Sequence, residues 1–212
     1  MNRSEQAVAV FDKCATKYQE RFMDTAMYQD TFDVFCDSLN TQNATVIDVA
    51  CGPGNITMYL LHKRPDLIIT GIDLSANMLA LAKINNPGAV FELMDCREIA
   101  ATGKRYDGMV CGFCLPYLTK TESQQLIADA ATVLSDHGVL YLSTMEGDNE
   151  RSGLQTASSG DKVFVNYHES GYLTNSLIEN GFSIIKLSRK EYTTGDVITT
   201  DLVIIAAKKP AV

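Results

Sequence analysis

The chain has 212 residues, 46% of them hydrophobic and 21% charged, a composition typical of globular proteins and a length that fits one domain with a sizeable core. Eighteen basic side chains against 26 acidic ones give a net charge of −8, and no basic cluster is longer than Lys208-Lys209, so the electrostatic footprint of a nucleic-acid binder is missing. No apolar run is long enough to span a bilayer, and Met1-Asn2-Arg3-Ser4-Glu5-Gln6 lacks a signal peptide's basic start and apolar centre; the expectation is a cytoplasmic protein without membrane contact, its six cysteines free thiols.

From Ser4 to Met23, apolar side chains at Ala7, Phe11, Cys14 or Ala15, Tyr18 and Phe22 recur every three or four residues, which predicts an amphipathic helix. A second helix is predicted over Asp30 to Leu39, so residues 1–43 read as a helical segment ahead of a core at 44–212. The run Thr45-Val46-Ile47-Asp48-Val49-Ala50-Cys51-Gly52-Pro53-Gly54-Asn55 then reads as strand, tight loop and helix start. Further strand-like runs at 67–73, 89–94, 106–114 and 138–144 alternate with helical stretches at 55–64, 76–84, 97–101 and 121–134, the rhythm of a parallel sheet. Thr121-Glu122-Ser123-Gln124 predicts a capping box, and Asp136-His137-Gly138 a turn into the fifth strand. Residues 146–161 are polar and glycine-bearing and read as a long surface loop, either the wall of a binding site or disorder. A helix from Ser170 to Asn180 ends at Gly181, and strands at Phe182–Tyr192 and Ile198–Ala207 flank a Thr194-Gly195-Asp196 turn, so they pair antiparallel.

The glycine loop indicates the ligand. Gly52 and Gly54 let a bound molecule lie on the backbone, but a dinucleotide fingerprint needs a third glycine where Thr57 stands, and Asp48 sits inside the strand. A carboxylate there disfavours a pyrophosphate and favours a ligand with cationic groups and no phosphate, which S-adenosylmethionine is. The segment Val46 to Thr57, with Gly71-Ile72-Asp73-Leu74-Ser75-Ala76-Asn77-Met78-Leu79 and Phe91-Glu92-Leu93-Met94-Asp95-Cys96, resembles in order and spacing the three cofactor motifs of the class I S-adenosylmethionine-dependent methyltransferases. The likeness covers most of the chain from residue 44 onward. It implies an α/β fold: a Rossmann-like, doubly wound, mostly parallel seven-stranded sheet of order 3-2-1-4-5-7-6, closed by a C-terminal antiparallel hairpin, with N-terminal lid helices in a single domain, 1–212. The alternatives are a nicotinamide-dependent oxidoreductase, disfavoured by Asp48 and Thr57, and a non-catalytic cofactor-binding or interaction protein of the same fold.

The resemblance also implies roles. Asp73 would accept the ribose hydroxyls, Leu74 pack on adenine, Asp95 take the adenine amino group and the Cys96 amide donate to the ring. Gly52 and Gly54 would lie beneath the methionine moiety, Asp48 would hold its ammonium group, and Phe113 would flank the cofactor. Tyr18 and Tyr28 of the lid face ligand or pack on the core. Methyl transfer from a sulfonium is an in-line displacement that needs positioning and no obligatory catalytic residue. Tyr117, Glu146 and His168 are the candidates for a base, His168 having a structural hydrogen-bonding role as its alternative. Cys114-Leu115-Pro116-Tyr117 departs from the Asn/Asp-Pro-Pro-Tyr motif of nucleic-acid and glutamine methyltransferases at its first two positions, so a small-molecule acceptor is expected. Cys111-Gly112-Phe113-Cys114 is formally C-x-x-C, but on a strand its cysteines would face opposite ways and no second pair follows, so no metal is expected.

Overall fold

The computed structural model describes residues 3–156, 160–194 and 197–210. Two helices come first, α1 (Arg3–Phe22) and α2 (Gln29–Ser38), followed by β1 (Thr45–Val49), α3 (Asn55–Lys63), β2 (Ile68–Asp73), α4 (Ala76–Asn85), β3 (Val90–Leu93) and β4 (Tyr106–Gly112). Then come α5 (Lys120–Val133), β5 (Leu134–Met145), a short ribbon of β6 (Gly153–Thr156) and β7 (Lys162–Val165), α6 (Ser170–Glu179), β8 (Phe182–Thr194) and β9 (Val197–Lys208). The main sheet has the order β3-β2-β1-β4-β5-β9-β8. β1 to β5 run parallel, and β9 pairs antiparallel with both β5 and β8. With the ribbon set apart, this is the order read from the sequence. Residues 195–196 of the expected Thr194-Gly195-Asp196 turn lie outside the described residues.

Alternation along each strand sends side chains to two cores. Val46 joins Phe35, Ile56 and Leu60 on one face, while Ile47 joins Ile99, Met109 and Leu126 on the other. A strand covered on both faces loses its polar alternation, and Leu202-Val203-Ile204-Ile205-Ala206 of β9 is at most 1% exposed throughout.

Three local expectations are corrected. The capping box sits two residues earlier than predicted: Thr119 Oγ1 accepts from the Glu122 amide and Glu122 Oε2 accepts from the Thr119 amide at 2.8 Å. A carboxylate serves the positive end of the helix better than the Gln124 amide would. The predicted loop at 146–161 contains β6, which pairs with β7 in register from Gly153–Val165 to Thr156–Lys162. And β5 begins at Leu134, directly after α5, so Asp136-His137-Gly138 lies within the strand, where His137 has φ +65° and the β4–β5 register shifts. Left-handed backbone inside a strand makes a bulge, which a sequence reading takes for a turn. Gly181 is as predicted, with φ +83° just past α6.

Candidate functional site

β1 ends in a loop with three left-handed residues, Ala50 (φ +54°), Gly52 (+54°) and Gly54 (+78°). The two glycines serve different ends. A β-carbon on Gly54 would lie 2.4 Å from Asn86 Nδ2 and 3.3 Å from Ala82 Cβ, so this glycine lets the loop seat against α4. On Gly52 it would meet only Tyr18, at 3.9 Å, so the backbone there opens onto a cleft.

That cleft runs along the carboxyl ends of β1 to β4 under α1. It is bounded by Gly52, Asp73, Leu74, Asp95, Cys96 and Phe113 from the sheet side and by Val8, Phe11 and Tyr18 from the helix. Counting the part open to solvent, it leaves about 810 Å³ of empty space. Asp73, at the end of β2, accepts from the Gly52 amide on Oδ2 (2.9 Å) and from the Ser75 amide on Oδ1 (2.8 Å). Burial lifts its carboxyl above the ordinary value against the pull of those amides. Each oxygen keeps a lone pair for a ligand hydroxyl.

Asp95 is more occupied than the sequence suggests. Its Oδ1 accepts from the Arg97 amide (2.9 Å), and the Arg97 guanidinium grips both oxygens at 2.5 to 3.0 Å while also reaching Glu122. Burial would raise Asp95, but the Arg97 side chain holds it below its ordinary value. Asp48 is 1% exposed and does not border the cleft. Its Oδ2 accepts from Thr57 Oγ1 at 2.6 Å, and its Oδ1 has no hydrogen-bond partner among the described residues. Burial lifts it to about 7 despite Thr57.

Phe113 adopts φ +55°, its amide donating to the Ser143 hydroxyl (3.1 Å) and carbonyl (3.2 Å). The turn breaks the strand alternation, so the C-x-x-C expectation is corrected: Cys111 and Cys114 lie in the same core, with Cys114 Sγ 3.8 Å from Cys96 Sγ. The Cys111 thiol beside Cys114, together with burial, pushes the Cys114 thiol well up, so it is a poor nucleophile. Desolvation pushes the half-buried Tyr18 phenol up to about 12, and its ring packs between Phe11 and Phe22.

Of the three candidate bases only Tyr117 borders the cleft, edge-on to Phe11 at 4.9 Å. Glu146 is bound by Arg189 through both oxygens, at 2.6 and 2.8 Å. His168 is fully buried and lowered by burial. Its Nε2 is 2.8 Å from the Leu115 carbonyl, which can only accept, so Nδ1 accepts from the Tyr172 hydroxyl. His168 thus holds the Leu115-Pro116-Tyr117 turn in place.

Sequence reasoning missed Asp12 and Arg97. Asp12, on the polar face of α1, accepts from Ser75 Oγ (2.7 Å) and from the Asn77 amide and side chain (2.9 Å each), pinning α1 across the cleft. The only signal for Arg97 is its place two residues after Asp95.

Comparison with known proteins bears on the fold. Residues 46–138 match the methyltransferase domain family, and the chain has the fold of the class I S-adenosylmethionine-dependent methyltransferases. Over its whole length it resembles magnesium protoporphyrin IX methyltransferase from Synechocystis PCC 6803, solved with bound S-adenosylmethionine. That likeness has a TM-score of 0.72 at 18% identity and covers 99% of this chain and 98% of that one. Among curated sequences it is 37% identical over 90 residues (42% of this chain, 34% of the relative) to putative methyltransferase 235L of Invertebrate iridescent virus 6. It is 33% identical over 107 residues (50% of this chain, 40% of the relative) to trans-aconitate 2-methyltransferase of Variovorax paradoxus. The matched stretches therefore span well under half of these curated relatives. Among the described residues no helix is long and apolar enough to cross a membrane.

Proposed function

We propose that this chain is a cytoplasmic, single-domain S-adenosylmethionine-dependent methyltransferase acting on a small-molecule acceptor, with residues 1–43 as a lid over the 44–212 core. The observation that carries the reading is the convergence of Gly52, Asp73, Leu74, Asp95, Cys96 and Phe113 on one cleft at the carboxyl ends of four adjacent strands. The residues present fit the cofactor: Asp73 faces the cleft with lone pairs to spare, and Gly52 offers open backbone beside it.

When bound, S-adenosylmethionine supplies an activated methyl group on a sulfonium. Asp73 would hold the ribose hydroxyls, and Leu74, Asp95 and the Cys96 amide the adenine. The backbone at Gly52 would lie under the methionine end, with the loop shape secured by Gly54. Asp48, one layer below, would supply the negative charge that the ammonium group needs. Tyr18 and Phe113 would wall off water around the reacting end, and Tyr117 would face the acceptor. Aligning the nucleophile with the methyl group contributes up to roughly 7 to 11 kcal/mol.

Thermal melting with and without the cofactor tests the reading. At 100 times its dissociation constant a ligand adds about 2.7 kcal/mol, a rise of roughly 5 to 10 °C for a chain of this size. No rise at millimolar S-adenosylmethionine refutes it.

A further inference from the structure

Tyr117 stands on a turn whose three preceding carbonyls are all bonded. His168 Nε2 donates to the Leu115 carbonyl at 2.8 Å, the Asn166 amide and side chain donate to the Pro116 carbonyl at 2.8 and 3.1 Å, and the Tyr117 amide donates to the Cys114 carbonyl at 3.0 Å. The Tyr117 ring is half-buried, edge-on to Phe11 at 4.9 Å, and borders the cleft. Its hydroxyl has no hydrogen-bond partner among the described residues and is not sealed off from the cleft. Tyr28 differs: its hydroxyl donates to Asp201 at 2.6 Å, and its ring packs on the core without bordering the cleft. A rigidly mounted phenol with an unused hydroxyl facing the cleft is a group waiting for a ligand.

The charges around Tyr117 are already engaged. Arg97 is the one cation bordering the cleft among the described residues, and it is held by Asp95 and Glu122. Of the carboxylates there, Asp95 is gripped by Arg97, and Asp73 accepts two amides on the cofactor side. The titratable groups that bear on Tyr117 are the Tyr18 phenol and the Cys14 and Cys114 thiols. Burial pushes up the first two, and the Cys111 thiol, with burial, pushes up the third, so all are uncharged near neutrality. The wall beside Tyr117 is otherwise Phe11, Phe113 and Leu118.

Such a wall selects the acceptor. A carboxylate would lose its water with no cation to replace it. A hydroxyl or thiol reacts as its anion, and no free base borders the cleft to make that anion. An alkylamine, like Lys with its pKa of about 10.4, is an ammonium at neutral pH with its lone pair taken by a proton. An aromatic amine is neutral, carries its lone pair already and brings a ring that packs on Phe11. Resting on the methyltransferase reading above, we propose that the acceptor is a neutral aromatic amine and that Tyr117 binds it, the phenol oxygen accepting an amine N–H and so fixing the direction of the nitrogen lone pair. That lone pair forms the bond to the methyl carbon as the carbon–sulfur bond breaks and its electron pair neutralises the sulfonium. The nitrogen, left cationic, then releases a proton to water. Tyr117 keeps its own proton throughout, because burial holds its phenol well above the ordinary value.

Aniline, phenol, benzoate and benzylamine share one ring and differ in the group it carries, so they test the proposal. Each is offered to the wild type and to Tyr117→Phe with methyl-labelled S-adenosylmethionine. Each is also added to both chains saturated with S-adenosylhomocysteine while melting is followed. The wild type should label aniline and none of the others, and aniline alone should add to the melting shift. Tyr117→Phe keeps the ring against Phe11 and loses only the hydroxyl. Its KM for aniline should rise about tenfold, the worth of one hydrogen bond, with kcat little changed. Its cofactor-induced melting shift should match the wild type's, and the extra shift from aniline should shrink. Label in phenol, benzoate or benzylamine, a wild type that binds cofactor and labels none of the four, a Tyr117→Phe KM equal to the wild type's, or loss of the cofactor shift in that variant overturns the proposal. A wild type with no cofactor shift overturns the methyltransferase reading instead.

Discussion

Asp48 offers the sharpest test of the buried electrostatics beneath the cleft. Its carboxyl is lifted by burial from 3.8 to about 7, with the single Thr57 hydroxyl to offset the loss of water. The folded chain therefore keeps this proton across the interval in which the unfolded chain has released it. Stability from the neutral group is fully present below pH 3.8 and is lost as pH rises through about 7. The gap corresponds to roughly 4 kcal/mol at full ionisation, since each pH unit between the two values is worth about 1.4 kcal/mol. Asp48→Asn removes the titration and keeps the shape. Urea unfolding of wild type and variant from pH 4 to 8 yields a difference curve in which the other titrating groups cancel, and the variant should gain on the wild type by up to about 4 kcal/mol as pH rises. The gain should reverse with ligand at the alkaline end of that range, where Asp48 is ionised: S-adenosylmethionine should stabilise the wild type and shift Asp48→Asn much less, because the negative charge beneath its ammonium group is gone. A difference curve that stays flat across the interval refutes the reasoning.

Gly54→Ala should cost about 2 to 4 kcal/mol in unfolding experiments, the left-handed φ accounting for roughly 1 to 2 and the 2.4 Å approach to Asn86 for the rest. Gly52→Ala has a similar φ and open space; it should cost less stability than Gly54→Ala and more cofactor affinity, measured by calorimetric titration. Asp73→Asn should weaken cofactor binding by about 1.5 to 3 kcal/mol, a factor of roughly 10 to 150, and should also lower the stability of the free chain, because one of the Gly52 and Ser75 amides loses its acceptor. His168→Ala should lower stability by about 2 to 4 kcal/mol by opening a buried cavity and leaving the Leu115 carbonyl unpaired. A His168→Ala variant as stable as the wild type would refute that structural role.

The parts of this protein that the sequence makes legible are those whose physics is local. Gly52 and Gly54 announce a left-handed loop, and the apolar runs of β1, β2 and β4 announce strands covered on both faces. Asp73 falls at the last position of β2, where a strand-end carboxylate is within reach of the preceding loop. Pairings over long separations leave no such trace. Tyr28 and Asp201 are 173 residues apart, and neither is distinguished from its neighbours by type or spacing. The ribbon was hidden for a different reason: each strand has four residues, too few to show alternation, and β6 lies in a polar, glycine-bearing stretch. Phe113 misled more directly. Without glycine to mark it, its left-handed backbone turned a predicted pair of opposed cysteines into neighbours in one core.

The same contrast divides the cleft into two halves built on different terms. The half bordered by Gly52, Asp73 and Asp95 stands on paired strands and their amides, so its shape follows from the sheet. The half roofed by α1 depends on elements added to the sheet. Ala7 and Val10 of α1 pack with Val163 of β7, Lys13 bonds Asp161 at 3.0 Å, and the Arg3 guanidinium lies 3.8 Å over the Phe164 ring. The Asn166 amide after β7 donates to the Pro116 carbonyl at 2.8 Å, one residue from Tyr117. Helix, ribbon and turn are therefore one packed unit, touching the sheet's cofactor half through Asp12. A substitution at the ribbon–helix contact, such as Val163→Ala, lies away from Asp73 and Asp95 yet loosens the roof and the Tyr117 turn together. It should raise the acceptor's KM more than the cofactor's dissociation constant, because Val163 packs on Ala7 and Val10, while α1 meets the cofactor half further along, through Asp12 and Tyr18. Equal weakening of both ligands would mean that α1 belongs to the cofactor half after all.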